Sequence, residues 1–367
     1  MNNDSKFDVR LDIIRFLAFF AVFFTHFVNA GGNAIQDAGD VWWNKVPIQR
    51  LADFGGQGVP IFFALTGFLL GRLLIREYKN THSVSIKSFY LRRIFRIWPL
   101  YFLYLVICFL ANPFASGTPA INQSEIPFYL TFTYNWGQIY GNLPGSMATI
   151  TWSVSVEEQI YLVLPLLIYF INYKRFEITA FLLVTLGALS LLLSDFDFIP
   201  GFARVTTSYF LPVGIGLIVA LKEEKIRSTN RKARYLRWVV LLLSITYVLV
   251  FPELSDFFLS GTITMALTSV LFVGLIFISD NFIKEEKIFV RIIGRIGRVS
   301  YGCYLYHWTI WSIMTGKEIF YSSAKGFSIF GVLIALIVTI LVSEVSYRFF
   351  ETWFLKKRKK YQVVESP

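Results

Sequence analysis

The sequence predicts an all-α polytopic membrane protein, a bundle of about ten transmembrane helices. Of its 367 residues, 55% are hydrophobic and 16% are charged, and the mean hydropathy is +0.56. Soluble globular domains carry about 25% charged residues, so this composition excludes an ordinary water-soluble enzyme. Apolar stretches long enough to cross a bilayer also recur along the whole chain.

Ten of these apolar stretches are predicted to span the membrane. They cover residues 11–30, 58–76, 95–111, 152–171, 177–194, 205–221, 237–251, 259–279, 299–315 and 327–347. With a cytoplasmic N-terminus, 29 of the 35 Lys and Arg residues lie inside and five lie outside. Because basic residues accumulate on the cytoplasmic side, the N-terminus and the C-terminus are both predicted to be cytoplasmic. The net charge of +11 then faces anionic membrane lipids, and no nucleic acid partner is expected.

The first stretch contains two ionisable residues whose spacing indicates a function. Arg15 and His26 lie eleven positions apart. In a helix this separation leaves them within about 20° of each other and about 16 Å apart along the axis. A charged residue near the centre of a span raises the free energy of membrane insertion by roughly 2.5–3.5 kcal/mol, so its presence there indicates a structural or functional role. We expect Arg15 near the inner surface and His26 near the outer surface to act on a common neighbour; structural hydrogen bonds are the alternative.

The inside turn between the second and third spans is strongly basic. Its arginines are Arg72, Arg76, Arg92, Arg93 and Arg96. Juxtamembrane basic clusters commonly bind lipid phosphates. Planar guanidinium groups equally suit the several phosphates of a nucleotide-bearing donor such as coenzyme A. From the residues alone, both interpretations stay open.

Carboxylates and a further histidine lie within later spans. Glu157 and Glu158 follow the start of the fourth span by about a turn and a half, at a depth similar to that of His26. A carboxylate can fix the tautomer of an imidazole, so one of them is expected to partner His26. The other would cap the helix N-terminus. His307, in the ninth span, is predicted either to line a cavity or to hold a structural hydrogen bond.

Five segments in a fixed order resemble the membrane-bound acyltransferase-3 family. They are Arg15 and His26 with ten residues between them, GVPIFFALTGFLLGR at Gly58–Arg72, RRIFRIWPLY at Arg92–Tyr101, WSVSVEE at Trp152–Glu158, and YLYHW at Tyr304–Trp308. Members of this mostly bacterial family move acyl groups, commonly acetyl, to glycans and other hydroxyl compounds. Thr66 stands where the family usually has Ser, and Val154 where Leu is usual.

The resemblance implies an acyl-CoA donor, most commonly acetyl-CoA, bound from the cytoplasm, and a glycan hydroxyl that enters from outside. His26 would be the general base, Glu157 its orienting partner, and Arg15 a contact to the donor or to developing negative charge. The residues expected at the donor are Arg72, Arg92, Arg93, Arg96 and Tyr101. Those expected at the acceptor are Trp152, Ser153, Glu158 and His307. No metal site is expected, and the expected location is the bacterial plasma (inner) membrane.

Residues 1–355 are predicted to form one acyltransferase-like transmembrane domain, followed by a basic cytoplasmic tail at 356–367. Some family members carry an additional esterase-like domain outside the membrane. None is expected from this sequence, so transfer straight to the acceptor or to a separate partner protein is predicted. A direct step and an acyl-enzyme intermediate both stay open, as do the acceptor, the acyl length and the oligomeric state. A secondary transporter of a glycan or organic anion is the alternative function.

Overall fold

The computed structural model describes most of the chain. The described residues are 8–30, 54–111, 121–141, 143, 145–171, 175–198, 204–226, 231–254, 260–282, 287–315, 321–322, 326–327 and 329–361. Within them the chain is almost entirely helical. The outer loop that the sequence predicts at 31–57 lies almost wholly outside the described residues.

Helices of very different length make up the described part. In chain order they are α1 Val9–Ala30, α2 Gly58–Thr81, α3 Ile86–Ala111, α4 Ile126–Leu130, α5 Tyr134–Tyr140, α6 Trp152–Ile171, α7 Phe176–Asp195, α8 Phe210–Leu221, α9 Glu223–Ile226, α10 Arg231–Leu254, α11 Ser260–Phe282, α12 Ile288–Arg298, α13 Ser300–Thr315, α14 Ile329–Ser346 and α15 Thr352–Arg358. Two-residue strands, β1 Tyr321–Ser322 and β2 Gly326–Phe327, pair antiparallel with Tyr321 opposite Phe327.

Each of the ten predicted spans coincides with a helix, and the all-helical polytopic fold is confirmed at that level. Within the described residues, five helices are long and apolar enough to cross a membrane. They are Gly58–Thr81, Ile86–Ala111, Thr149–Ile171, Phe176–Asp195 and Gly331–Tyr361. Shorter apolar helices lie at Thr206–Leu221, Tyr235–Tyr247 and Gly261–Ile276. The number of ten spans and the cytoplasmic location of both termini stay predictions.

Helix α1 packs between α2 and α12 through backbone contacts. A Cβ atom added at Gly297 in α12 would lie 1.8 Å from the carbonyl oxygen of Asp12. One added at Gly58 in α2 would lie 2.3 Å from the carbonyl oxygen of Ala18. Only glycine allows such an approach, since it has no Cβ. These contacts fix the rotation of α1 and leave another face of this helix against α13.

The described residues of segment 121–151, here called the outer segment because the sequence predicts it outside the membrane, are attached to α3 by buried hydrogen bonds. The Tyr101 hydroxyl donates to the carbonyl oxygen of Tyr129 at 2.9 Å. The Tyr104 hydroxyl donates to the carbonyl oxygen of Met147, also at 2.9 Å. Because a buried phenol requires a partner, these bonds hold the segment over one end of the bundle.

The C-terminal segment folds back onto the bundle. After α14 the chain passes through a π-helical turn, Tyr347–Glu351, into α15 and a 3₁₀ turn at Lys359–Tyr361. Arg92 in α3 donates from Nη1 to the carbonyl oxygen of Tyr361 at 2.8 Å. The rings of Phe95 and Tyr361 stack with centroids 5.8 Å apart. Residues 356–361, predicted as the start of a tail, therefore pack against α3.

Candidate active site

Two histidines from different helices meet inside the bundle. Nδ1 of His26 in α1 lies 2.9 Å from Nε2 of His307 in α13. The two imidazole rings are stacked, with centroids 5.2 Å apart and planes 7° from parallel. The partner of His26 is therefore His307, and the predicted pairing of His26 with Glu157 is wrong.

A backbone carbonyl determines which nitrogens of this pair carry hydrogen. Nδ1 of His307 lies 2.6 Å from the carbonyl oxygen of Tyr304, and a carbonyl can only accept. Nδ1 of His307 therefore donates, and in the neutral ring its Nε2 bears a lone pair. That lone pair accepts from Nδ1–H of His26. The remaining nitrogen of His26, Nε2, is then left with a lone pair, as a general base requires.

Aromatic side chains surround the histidine pair. His307 is fully buried beside Phe19 and Phe23, whose ring centroids lie 6.1 and 6.2 Å from its own. His26 is partly exposed, with the Trp308 ring 5.1 Å away at an edge-on angle. Trp308 stacks on Trp311, one turn further along α13 towards the predicted outer side. In the described part of the chain, Nε1 of Trp308 is buried without a hydrogen-bond partner.

A cavity of about 280 Å³ extends through the bundle towards this pair. One end is charged and is lined by Asp8, Asp12, Arg15, Arg72, Arg93, Arg96, Glu157 and Arg358. The other end is lined by Val59, Phe62, Ser153 and Tyr304. Tyr304 shares a 2.7 Å hydrogen bond with Ser153, and its ring centroid lies 5.7 Å from that of His307. Tyr304 therefore lines the cavity and lies beside His307, while neither histidine is among the lining residues.

The arginines at the charged end differ in how they are neutralised. Arg15 forms a short contact with Asp12, which also accepts from Arg298 at 3.0 Å. Arg72 pairs with Glu223 at 3.1 Å. The other three lining arginines, Arg93, Arg96 and Arg358, form no ion pair with any described residue. The cavity thus offers guanidinium groups to an anion.

Two of the residues predicted at the donor do not line this cavity. Nη2 of Arg92 lies 2.9 Å from Oε2 of Glu77, and both side chains are buried. A buried carboxylate needs a paired cation, so Glu77 holds Arg92 away from the cavity. Tyr101 is buried at 0% exposure, with its hydroxyl on the outer segment. Of the five residues predicted at the donor, the structure thus brings Arg72, Arg93 and Arg96 to the cavity but not Arg92 and Tyr101.

The residues predicted at the acceptor are also dispersed. Glu157 lines the charged half of the cavity and accepts from Tyr161 and, at 3.3 Å, from Thr66. Glu158 accepts from the indole of Trp98 at 2.9 Å and does not line the cavity. Trp152 packs on Tyr209 with ring centroids 6.0 Å apart, also outside the cavity lining. Of the four residues predicted at the acceptor, the structure brings Ser153 to the cavity and His307 to His26; Glu157, which was predicted as the partner of His26, lines the cavity as well.

Sequence reasoning missed three contributors. Asp12 shares the first helix with Arg15 at a spacing of three, which is a signal for an ion pair. Tyr304 belongs to the same short motif as His307, but only the fold reveals its carbonyl as a hydrogen-bond acceptor. Arg358 lies within the KKRKK run, where nothing in the sequence distinguishes it from its lysine neighbours.

Comparison with known proteins identifies the family. A family model described as an acyltransferase domain matches residues 8–348. The chain belongs to the acyltransferase-3 family. The resemblance found in the sequence motifs is thereby confirmed, and the histidine pair and the cavity lie in the matched region, apart from Arg358.

Bacterial relatives of this acyltransferase-family chain have names that describe acetyl transfer. Peptidoglycan O-acetyltransferase OatA of Listeria monocytogenes is 25% identical over 323 residues, which cover 81% of this chain and 51% of that protein. O-acetyltransferase OatA of Staphylococcus aureus is 24% identical over 324 residues, covering 83% and 53%. A putative O-acetyltransferase of the same species is 23% identical over 326 residues, covering 83% and 53%. The chain spans about half the length of these relatives. No solved structure matches it.

Proposed function

We propose that this chain is a membrane O-acyltransferase that moves an acyl group, most commonly acetyl, from acyl-CoA to a hydroxyl of a glycan on the outer side of the bacterial plasma membrane. Membership of the acyltransferase-3 family supports the reaction class. The names of the relatives support acetyl as the transferred group and a glycan, such as peptidoglycan, as the acceptor.

The observation that carries this proposal is the lone pair on Nε2 of His26, which follows from the hydrogen bonds of His307. Nε2 takes the proton of the acceptor hydroxyl while the hydroxyl oxygen attacks the thioester carbonyl carbon. The carbon–sulfur bond then breaks, and the departing thiolate receives the proton from His26. His307 keeps accepting from Nδ1 throughout and so acts as a positioning residue.

The donor lies in the cavity, with its phosphates against the guanidinium groups at the charged end. Arg93 and Arg96 form no close ion pair with a described carboxylate, and guanidinium binds phosphate bidentately. Arg15, held by Asp12, contacts the donor at the same end. The acyl arm follows the cavity past Ser153 towards Tyr304, and the acceptor approaches His26 along Trp308 and Trp311 from the opposite side.

The acceptor side suits a sugar. Aromatic rings stack on the apolar faces of pyranoses, and the unpaired Nε1–H of Trp308 can donate to a hydroxyl. A hydroxyl held there lies next to His26, since the Trp308 and His26 rings are 5.1 Å apart.

Acetyl transfer in proteoliposomes tests the proposal. Purified chain receives labelled acetyl-CoA on one side and peptidoglycan fragments on the other. His26→Asn keeps an N–H donor for His307 but removes the base, so the rate of labelled product formation should fall about 10²- to 10⁴-fold. His82→Asn is the matched control, because His82 is exposed at the end of α2, and it should keep the wild-type rate.

Equal rates for wild type and His26→Asn would remove His26 from the chemistry. No product with any variant, together with no binding of CoA, would favour the transporter. Label that accumulates on the protein and then passes to the glycan would indicate an acyl-enzyme intermediate.

A further inference from the structure

The C-terminal segment 352–361 contributes to the cavity from outside the region that the family model matches. Arg358 lines the charged end of the cavity, whereas the match ends at residue 348. We propose that this segment is a structural part of the donor site, and that Arg358 binds a phosphate of the donor. This inference rests on the proposed function. It adds a donor-binding residue from a segment whose sequence predicts only a basic tail.

The segment presents a single residue to the cavity. The lysines on either side of Arg358 are exposed; they are Lys356, Lys357, Lys359 and Lys360. Arg358 is partly buried and is the one member of this basic run among the lining residues. A solvated basic tail would expose all five side chains alike. The orientation of α15 therefore selects one guanidinium for the site.

Contacts from α2 and α3 hold the C-terminal segment in place. Arg92, 5% exposed, donates to the carbonyl oxygen of Tyr361 and to Glu77, which is itself fully buried. Glu77 also accepts from the backbone N–H of Ser85 at 2.7 Å. The stacked rings of Phe95 and Tyr361 add an apolar contact. Arg92 thus positions the segment instead of binding the donor, which explains its distance from the cavity.

The charge balance of the cavity calls for an anion with several negative groups. Five arginines line it, against the carboxylates of Asp8, Asp12 and Glu157. Arg93, Arg96 and Arg358 have no ion pair among the described residues. Guanidinium groups at one end of a cavity repel each other, and the three lining carboxylates leave two of the five arginine charges for a ligand to neutralise. A ligand with two or more phosphates does so, and the nucleotide part of acyl-CoA belongs to this class.

Binding of CoA to the purified full-length chain in nanodiscs tests this inference. Arg358→Ala should weaken CoA binding by about 10- to 100-fold, as expected for a lost charge-assisted hydrogen-bond pair. Lys356→Ala removes the same charge from the exposed side of α15 and should keep the wild-type Kd. Arg358→Ala should also reduce the salt dependence of Kd, which a merely structural role would not change.

The outcomes separate this inference from the proposed function. A wild-type Kd for Arg358→Ala, with CoA bound by the parent chain, overturns the role of Arg358 and leaves the acyltransferase proposal intact. No CoA binding by the parent chain overturns the donor assignment and this inference together. If Arg358→Ala does not fold, Arg358→Lys takes its place: it keeps the charge but not the bidentate geometry, and an unchanged Kd would overturn the inference.

Discussion

The carbonyl oxygen of Tyr304 controls the chemistry available to His26, through His307. Because a carbonyl cannot donate, it fixes the hydrogen on Nδ1 of His307, and the hydrogen on His26 follows. His307 is fully buried, and His26 is partly exposed. Packing from Phe19 and Phe23 holds the His307 ring in this orientation. In the proposed function, His307 and a backbone carbonyl thus prepare the base, and in the described part of the chain neither imidazole is hydrogen-bonded to a carboxylate.

A carboxyl group in the outer segment predicts a measurable pH dependence. Glu125 is fully buried, with Oε2 2.9 Å from the Tyr129 hydroxyl, and burial raises the pKa of this carboxyl above its ordinary value of 4.5. Folding then favours the protonated form, so the folded state should lose stability as pH rises above about 4.5. Glu125→Gln keeps an acceptor for Tyr129 without a titrating group and should flatten this dependence.

The measurement is the thermal unfolding midpoint in detergent between pH 4.5 and pH 7.5. Glu224→Gln is the control, since Glu224 is 95% exposed, and it should retain the wild-type slope. An unchanged slope in Glu125→Gln would show that this carboxyl does not titrate differently in the folded chain.

At the residue scale, chemistry was predictable from the sequence and pairing was not. Arg15 and His26 stood out because ionisable groups are costly in an apolar helix. The sequence predicts Glu157 or Glu158 as the partner of His26 because they lie at a similar depth, and it does not predict the contact with His307. The choice depends on which helix packs against that face of α1, and this is decided by close contacts such as Gly297 on Asp12. Similar depth in the membrane does not imply lateral contact.

Helices α2 and α8 pack through glycine, and this contact predicts a strong sensitivity to a single methyl group. A Cβ added at Gly216 would lie 2.0 Å from the carbonyl oxygen of Ala64, a backbone atom that cannot rotate away. Gly216→Ala should destabilise the chain by about 1–3 kcal/mol or prevent folding. Gly145→Ala is the matched control, because its nearest contact, Thr149 Oγ1, would be 3.7 Å away. The measurement is the thermal unfolding midpoint of each variant in detergent. Equal midpoints for Gly216→Ala and Gly145→Ala would contradict the close contact.

At the scale of elements, hydropathy predicted where the helices lie along the chain. It did not predict which of them contribute side chains to the cavity. All ten predicted spans contain helices, since burial in lipid requires long apolar runs with internal hydrogen bonds. The C-terminal boundary shows the limit. Residues 356–361 read as a basic tail, but the C-terminal segment packs on α3 because Arg92 donates to the carbonyl oxygen of Tyr361 and Phe95 stacks on the Tyr361 ring. Such long-range contacts leave no trace in local composition.

At the scale of the whole molecule, binding of a cytoplasmic donor requires the charged end of the cavity to face the cytoplasm. Single cysteines introduced at two exposed sites test this, in a chain whose buried Cys108 and Cys303 are replaced by Ala. Tyr140→Cys, in the outer segment, should react with an impermeant maleimide in intact cells. Lys360→Cys, beside the charged end, should react only after permeabilisation. Labelling of Lys360→Cys in intact cells would reverse the predicted topology and place the donor arginines outside.

The charged end of the cavity and the histidine pair differ in how far the sequence could predict them. Four of the five arginines that line the cavity come from α1, α2 and α3, which follow one another along the chain, and the fifth, Arg358, comes from α15. The acceptor side joins α1 to α13, far apart in sequence, and depends on helix packing that composition does not specify.

The most direct test of the central claim is a double-mutant cycle on the histidine pair. Single-turnover acetyl transfer is measured for the parent chain, His26→Asn, His307→Ala and the double variant. If His307 acts only by orienting His26, its loss should slow transfer in the parent but add nothing once the base is gone, so the double variant should match His26→Asn. Losses that multiply in the double variant would show that the histidines act independently, and would contradict the account.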